Sequence, residues 1–283
     1  MSNLLDNLKT IARRSLGLIG YEIHHRSTVR YEPIGLEGLI PPRDIWVEPG
    51  DPLYMFIGGA WEYRAYLTLL CGMRKDASVL ELGCNHGRTM LMLLDYLEPP
   101  GRYEGLDILA PQISFAQQNI HSRYPNFNFN LADVYNHFYH PTGKQSADAY
   151  SFPFADSSFD VVYAASLFTH LVPSDTANYF KESRRVLRQG GQCLFSFFVL
   201  DYYRGRGHSL RPFFEFEYPV HSCDGVATST PDIPENLIAY KLTLIEQSAE
   251  QAGLKVKQVI PGLWSNTHTL GVTEQDLIVF EAV

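Results

Sequence analysis

The chain has 283 residues, of which 45% are hydrophobic, and its net charge at pH 7 is −8. The length allows one large domain or one domain with appendages. The acidic balance, without a basic stripe, argues against a nucleic-acid partner. No apolar run is long enough to cross a bilayer, and the first residues lack the pattern of a signal peptide, so we predict a soluble cytoplasmic protein. The four cysteines are scattered without CxxC spacing, so we predict neither a metal site nor a disulfide framework.

Residues 1–53 differ in character from the rest of the chain, and we predict one main domain over residues 54–283. The first 30 residues place apolar side chains at helical spacing with lysine and arginine between them, which predicts an amphipathic basic helix. Two interpretations stay open: peripheral contact with the inner face of a membrane, or packing on its own domain or on a second copy in a homo-oligomer. Residues 31–53 contain five prolines and three glycines, which predicts an irregular arm.

From residue 77 onward, short apolar strands alternate with segments of helical spacing. The predicted strands are SVLELG, GRYEGLDIL, FNFNLADV, FDVVYAASLF and QCLFSFFVL, and the predicted helices include RTMLMLLDYL, PQISFAQQNIHSRY and SDTANYFKESRRVLRQGG. Such alternation predicts an α/β fold, a Rossmann-like doubly wound parallel sheet with helices on both faces.

The last part of the chain has a different pattern. Residues 236–256 are predicted as a helix that ends at Gly253 and runs into a strand, KVKQVIPG, and the chain closes with a second strand, QDLIVFEAV. No crossover helix separates the two strands, so they pair antiparallel if they pair directly. Between the fifth strand and this tail, residues 201–235 form an insert rich in aromatic, arginine, histidine and glycine residues. It follows the carboxyl end of a strand, where ligands bind in such folds.

The stretch VLELGCNHGR predicts a nucleotide-type turn between a strand and a helix, with Gly83 and Gly87 but Asn85 at the middle glycine position. An acid, Asp107, ends the next strand, where it can accept hydrogen bonds from ribose hydroxyls. Glu81, before the turn, is predicted near the amino-acid end of a cofactor.

The asparagine bears on which cofactor binds. In dinucleotide sites the middle glycine lets the backbone approach a pyrophosphate, which S-adenosyl-L-methionine (SAM) lacks. Asparagine also tolerates left-handed backbone angles better than most residues. Asn85 therefore counts against a nicotinamide dehydrogenase more than against a SAM-binding protein, and the antiparallel tail also opposes the dehydrogenase.

Several stretches together resemble bacterial class I SAM-dependent methyltransferases, whose layout is a doubly wound sheet closed by an antiparallel hairpin. They are VLELGCNHGR, GLDIL, LADV, FPFADSSFDVVYAASLFTHL, YFKESRRVLRQGGQCLFSFF and QDLIVFE. The resemblance covers residues 61–283 and is strongest for the subgroup with an FTHL motif after the fourth strand, often linked with glycan or polysaccharide assembly. Asn85 is a departure from the family's glycine.

The resemblance implies a contact between SAM and each matched residue. The turn would wrap the methionine end, Asp107 would hold the ribose, and Ser166 would lie alongside the cofactor by its backbone. The adenine would contact Ile108, Asp133 and Val134. For Asp133 the alternative is a turn-forming residue that makes no contact with a ligand.

Transfer to a hydroxyl group needs a base, for which histidine is the usual choice near neutral pH. His170, in the FTHL motif, is the first candidate and His208, in the insert, is the second; the alternative for His170 is a structural hydrogen bond or a helix cap. Further candidates for binding the acceptor are Arg204, Arg206, Arg211, Tyr202 and Trp264. The alternatives for these are solvated charges and plain packing.

Three functions follow from these residues. The first is a SAM-dependent O-methyltransferase that acts on a sugar hydroxyl of a glycan or glycolipid and releases S-adenosyl-L-homocysteine (SAH). The second is an O-methyltransferase of another small molecule, of natural-product or quinone type. The third is a SAM-binding module without catalysis that serves in an assembly.

Overall fold

The computed structural model describes residues 38–46, 53–211, 214–220, 223–267 and 271–283. The predicted amphipathic helix of residues 1–30 lies outside the described residues, so its membrane and oligomer interpretations stay predictions, as does the domain boundary at residue 53. Within the described residues, no helix has the length and apolar character that a membrane crossing requires.

Five parallel strands form one side of the main sheet, as the sequence predicts. They are β1 (Ser78–Leu82), β2 (Arg102–Asp107), β3 (Phe127–Leu131), β4 (Phe159–Ala164) and β5 (Leu187–Phe197). β1 lies between β2 and β4, because Val79 is in register with both Tyr103 and Val161. All five residues of β1 are buried, which is the pattern of a strand covered on both faces.

The antiparallel tail is confirmed. Strands β9 (Leu254–Ile260) and β10 (Asp276–Ala282) pair antiparallel, and β10 also pairs antiparallel with β5. The seven-stranded order is therefore β3-β2-β1-β4-β5-β10-β9. The insert and the residues after it add a small antiparallel sheet of β6 (Tyr218–Pro219), β7 (Val226–Thr228) and β8 (Ile238–Tyr240).

The α-helices are α1 (Leu53–Leu69), α2 (Ala110–Ala116), α3 (Pro173–Val186) and α4 (Leu242–Gln251). α3 ends at Val186, where β5 begins, so the predicted helix is shorter than its sequence pattern. Residues 238–240, predicted as the start of a helix, form β8 instead. Residues 88–97, also predicted as a helix, form successive turns with a 3-10 segment at Leu91–Leu93, because tertiary packing overrides local spacing there.

A cluster of phenylalanine rings fixes the loop after β4. Phe168 is fully buried, and its ring centroid lies 4.4 Å from that of Phe195 and 5.0 Å from that of Phe197. Phe168 belongs to the FTHL motif, so its burial holds the loop that carries Ser166 and His170 against the sheet. The core thereby positions two of the predicted site residues.

Candidate active site

A cleft of about 1200 Å³ opens at the carboxyl ends of β1, β2 and β4. This is where ligands bind in doubly wound sheets. Most residues that the sequence singles out for the cofactor line this cleft: Glu81, Gly83, Asn85, Asp107, Ile108, Val134 and Ser166. His170 and two arginines of the insert line it as well, so one cavity holds both predicted halves of the site.

The glycine-rich turn has the expected left-handed geometry. The φ angles are 73° at Gly83, 49° at Asn85 and 81° at Gly87. Asparagine thus takes the backbone conformation that the middle position requires, as its chemistry allows. A Cβ atom on Gly87 would lie 3.0 Å from Met90 Cε, so both backbone angle and space favour glycine there.

Asp107 links the end of β2 to this turn. One carboxylate oxygen, Oδ2, accepts a hydrogen bond from the Asn85 amide at 2.7 Å, and Oδ1 accepts one from the Leu109 amide at 2.9 Å. The side chain is buried, and burial raises the pKa of its carboxyl group while the amide bonds act in the opposite direction. Each oxygen keeps a second lone pair, so Asp107 can hold the turn and still accept a ribose hydroxyl.

We expect Asp107→Asn to weaken SAH binding about 30-fold, or roughly 2 kcal/mol. The amide group would turn an NH₂ donor toward one of the two backbone amides and leave it unsatisfied. Isothermal titration calorimetry measures the loss. Asp133→Asn, on the neighbouring strand end, is the matched control, and an unchanged affinity in Asp107→Asn would contradict the role given to Asp107.

Glu81 lies beneath the turn, surrounded by hydroxyl groups. Its carboxylate accepts hydrogen bonds from Tyr103 at 2.5 Å, from Tyr163 at 2.6 Å and from Thr89. The side chain is 1% exposed, and burial raises its pKa to about 7. Its three donors all belong to the protein, and its expected proximity to the cofactor's amino-acid end stays a prediction.

The adenine side of the cleft differs in detail from the expected arrangement. Ala132 and Val134 line the cleft, whereas Asp133 between them does not. The Asp133 carboxylate instead accepts the Lys144 amide at 3.3 Å and lies 3.7 Å from Lys144 Nζ. This geometry is that of the turn-forming alternative for Asp133, because alternate residues face opposite sides of the backbone.

Ser166 lies in the loop after β4, where its hydrogen bonds fix the backbone. Its φ is 60°, its amide donates to Ser196 Oγ at 2.7 Å, and its hydroxyl accepts from Gln275 Nε2 at 2.8 Å. The Ser166 amide is therefore occupied by the protein, and its carbonyl accepts from Thr169 Oγ1 at 3.1 Å, so only the second lone pair of that carbonyl remains for the predicted backbone contact with the cofactor.

His170 is held in one orientation. Its Nδ1 lies 3.0 Å from the Glu235 carbonyl oxygen, and its ring meets the Tyr139 ring edge-on with centroids 5.3 Å apart. A carbonyl can only accept, so Nδ1 carries the hydrogen and Nε2 keeps its lone pair. Burial lowers the pKa of the imidazole, so the ring is neutral near pH 7.

Two arginines of the insert form ion pairs with glutamates. Arg206 Nε lies 3.1 Å from Glu215 Oε2, and Arg211 Nε lies 2.5 Å from Glu274 Oε1. All four side chains line the cleft, together with Glu217. The positive charge that the sequence predicts for the acceptor is therefore matched by carboxylates of the protein itself.

The structure does not bring the other acceptor-side candidates into the cleft. His208 and Arg204 are exposed and, like Tyr202, are not among the lining residues. Trp264 is fully buried: its Nε1 donates to Asp276 Oδ2 at 2.7 Å, and its ring packs 5.1 Å from that of Phe198. Trp264 corresponds to the packing alternative, because a buried indole needs a partner for its N–H and finds one in Asp276.

Several cleft residues were missed by the sequence analysis. They are Trp46, Phe56, His86, Tyr135, Phe138, Tyr139 and Asp175, besides the glutamates above. Burial and the nearby Asp148 raise the pKa of Asp175 to about 6. The run YNHFY, just past the third strand, carried a usable signal, because aromatic side chains beside a strand end point to the ligand crevice.

Comparison with known proteins agrees with this architecture. Residues 80–195 match the family model of the methyltransferase domain. The arsenite methyltransferase of Aquipseudomonas alcaligenes is 33% identical over 132 residues, which are 44% of this chain and 35% of that protein. The chain therefore spans about a third of the length of this curated relative.

Solved structures show the same fold. The PH0226 protein of Pyrococcus horikoshii OT3 has a TM-score of 0.55 at 20% identity, over 83% of this chain and 93% of that chain. The CcbJ methyltransferase of Streptomyces caelestis has a TM-score of 0.51 at 16% identity, over 86% and 93%. The fold of the chain is thus that of class I SAM-dependent methyltransferases. The cofactor of this class is SAM.

The cleft fits that cofactor on two observations. Its volume of about 1200 Å³ exceeds the roughly 300–1,000 Å³ usual for small-molecule sites, which leaves room for SAM and an acceptor together. The turn at Gly83, Asn85 and Gly87, with Asp107 beside it, combines left-handed backbone and a carboxylate where a nucleoside cofactor needs them. These residues, with Ile108 and Val134, would hold SAM.

Proposed function

We propose that the protein transfers a methyl group from SAM to a hydroxyl group of an uncharged, sugar-like acceptor, as in a glycan or glycolipid. The observation that carries this proposal is His170, which lines the cleft with its Nδ1 bonded to the Glu235 carbonyl, so that Nε2 is the basic nitrogen of the neutral ring. The FTHL motif and its resemblance to glycan-linked methyltransferases support the acceptor class.

The charged side chains on the insert side of the cleft favour a neutral acceptor. Two arginines are paired with glutamates, and Glu217 adds a further carboxylate, which accepts from the Tyr203 hydroxyl at 2.5 Å. A phosphate or carboxylate on the acceptor would compete with these glutamates for the arginines, at a cost in affinity. Hydroxyl groups, in contrast, can bond to carboxylates without that competition.

The chain's own residues would perform the proton transfer. SAM, when bound, supplies a methyl group already activated by its sulfonium. His170 Nε2 accepts the proton of the acceptor hydroxyl, while the Glu235 carbonyl orients the ring through Nδ1. The aromatic side chains of Tyr135, Phe138 and Tyr139 lie at the same cleft, where they can pack on the acceptor and exclude water.

A second candidate is O-methylation of a flat aromatic acceptor of natural-product or quinone type. It is favoured by Phe138 and Tyr135, which line the cleft although they are 53% and 43% exposed. Exposed aromatic rings at a cleft suit stacking on another ring.

The name of the arsenite methyltransferase relative suggests arsenite as an acceptor, but the cysteines offer no thiolate in the cleft to bind arsenic. Only Cys84 of the four lines the cleft, and it is 2% exposed. Burial raises the pKa of its thiol well above the ordinary value, so it is not a thiolate at neutral pH.

The test is methyl transfer from labelled SAM to four acceptor classes: neutral glycans, nucleotide sugars, small phenols and arsenite. We expect transfer to neutral glycans. Transfer to phenols alone would favour the second candidate, and transfer to nucleotide sugars alone would contradict the charge argument. If SAH binds by calorimetry but none of the four classes accepts a methyl group, the domain is a SAM-binding module rather than the proposed enzyme.

A further inference from the structure

The part of the cleft wall formed by α3 carries two polar side chains that the proton transfer does not use. Asp175 and Tyr179 stand one helical turn apart, so they share a face of the helix, and both line the cleft. Tyr179 is 7% exposed. Its ring meets that of Phe152 edge-on with centroids 5.2 Å apart, which fixes the position of its hydroxyl group.

The Tyr179 hydroxyl has no hydrogen-bond partner among the described residues. It is nevertheless open to the cleft, because it is not one of the fully enclosed polar atoms that lack a partner. The hydroxyl of a buried tyrosine usually finds such a partner, and a phenol can both donate and accept. A ligand in the cleft is the group that can supply the missing hydrogen bond.

The Asp175 carboxyl group also keeps most of its capacity to accept hydrogen bonds. Among the described residues its one hydrogen bond comes from the Ser174 hydroxyl, at the long distance of 3.4 Å. Asp175 lies in the first turn of α3, where side chains often cap free backbone amides, but it caps none of those described. Burial and the nearby carboxylates of Asp148 and Glu235 raise its pKa to about 6. A carboxyl group in such surroundings within a cleft is a candidate for contact with a ligand.

The position of this pair relative to His170 indicates the acceptor as the ligand. Glu235 gives its carbonyl oxygen to His170 Nδ1 and also lies close enough to Asp175 to act on the titration of its carboxyl group. Burial raises the pKa of Tyr179, and Asp175 and Asp107 are among the groups that raise it further, so Tyr179 lies between the base and the ribose side. An acceptor whose reacting hydroxyl meets His170 Nε2 would therefore have this wall next to its neighbouring polar groups.

We propose that Asp175 and Tyr179 bind hydroxyl groups of the acceptor beside the one that is methylated, and so determine which hydroxyl reacts. The carboxyl group can accept from one hydroxyl while the phenol bonds to another. Two polar side chains one helical turn apart suit a molecule with several hydroxyl groups, as a sugar has, better than a molecule with a single one. The inference rests on the proposed function, because it concerns the acceptor of that reaction.

The test combines two variants with acceptors that each lack one hydroxyl. The acceptors are the neutral glycan that the wild type methylates fastest in the transfer assay and its monodeoxy analogues. We expect Asp175→Asn to lower kcat/KM for the parent glycan about thirtyfold and Tyr179→Phe to lower it about fivefold, the usual effects of losing a charged and a neutral hydrogen bond. The SAH affinity of both variants should stay within about twofold of the wild type. The product of Asp175→Asn should carry the methyl group at more than one position, which NMR of the product shows.

The monodeoxy analogues separate acceptor binding from a structural role. For the analogue that lacks the hydroxyl held by Asp175, the wild type and Asp175→Asn should have nearly the same kcat/KM, because the hydrogen bond is absent from both. For the other analogues the variant should keep its deficit. Tyr150→Phe is the matched control: it removes a hydroxyl that acts on the titration of Tyr179 but lies outside the cleft lining, so the rate should not change.

Three results would overturn the inference and leave the proposed function in place. The first is an unchanged kcat/KM in both variants. The second is a loss of SAH affinity as large as the loss of kcat/KM, which would put the pair on the cofactor side. The third is an equal deficit for the parent glycan and every analogue, which would indicate a structural role. If Asp175→Asn does not fold, Tyr179→Phe, which keeps the ring against Phe152, decides by the same comparison. A wild type that methylates no glycan would refute the proposed function and the inference with it.

Discussion

Asparagine in place of His170 is expected to slow methyl transfer by roughly 10²–10⁴-fold, the usual contribution of a general base. The affinity for SAH should stay within about twofold of the wild type. The asparagine amide can donate to the Glu235 carbonyl as Nδ1 does, at the 3.0 Å distance seen here, but it offers no basic nitrogen in place of Nε2. The variant therefore removes the base and keeps the structural hydrogen bond.

The control is His208→Ala. His208 is exposed and lies outside the cleft lining, so its removal should leave the rate unchanged. If His170→Asn keeps more than a tenth of the wild-type rate, His170 serves structure alone. Asp175 would then be the next group to replace, since it lines the cleft with a pKa raised to about 6.

The pH profile provides an independent measurement on the wild type. Burial lowers the pKa of His170 below its ordinary value of 6.5, so more than half of the base is neutral at pH 6.5. The rate should rise with pH through a midpoint that lies below pH 6.5. A rate that still rises steeply above pH 7 would point to a different base.

The sheet and its closing hairpin could be predicted from the sequence because their signals are local. Alternating strand and helix patterns predict parallel pairing, and the lack of a helix pattern between β9 and β10 predicts antiparallel pairing. Strand β8 was missed since Ile238–Tyr240 continue the helical spacing of α4. Only pairing with β7, which no periodicity encodes, makes them a strand.

The insert side of the cleft could not be predicted, because its contacts also join residues that are far apart in the sequence. Arg211 and Glu274 are 63 residues apart, and nothing in the local charge pattern pairs them. His208 and Arg206 stand two residues apart in one loop, yet only Arg206 lines the cleft. Gly205 and Gly207, with φ angles of 95° and 80°, set the side-chain directions there, and backbone freedom of that kind leaves no periodic signal.

Glu81 and His86 lie at the same turn and are expected to give opposite pH dependences of stability. Glu81 titrates at about 7 in the folded state and ordinarily at 4.5, so between these values the folded state keeps a proton that the unfolded state has lost. The free energy of unfolding therefore falls by about 3 kcal/mol as pH rises through this window. Below pH 4.5 the contribution is fully present.

The His86 imidazole has the opposite effect on the pH dependence of stability. His86 titrates at about 4 in the folded state and ordinarily at 6.5, so in this window the unfolded state binds a proton that the folded state does not. Stability rises with pH between 4 and 6.5, also by about 3 kcal/mol. The two contributions nearly cancel between pH 4.5 and 6.5, which should flatten this part of the wild-type profile.

Removing either group should reveal how the other group makes the free energy of unfolding depend on pH. In Glu81→Gln the free energy of unfolding should rise by about 3 kcal/mol from pH 4 to 6.5, and in His86→Phe it should fall by a similar amount from pH 4.5 to 7. Urea unfolding of the cofactor-free proteins at pH 4.5, 5.5, 6.5 and 7.5 measures both slopes, independently of any constant loss of stability. Parallel profiles for the wild type and both variants would mean that neither group titrates as its burial requires. The double variant, which lacks both groups, should recover the flat profile.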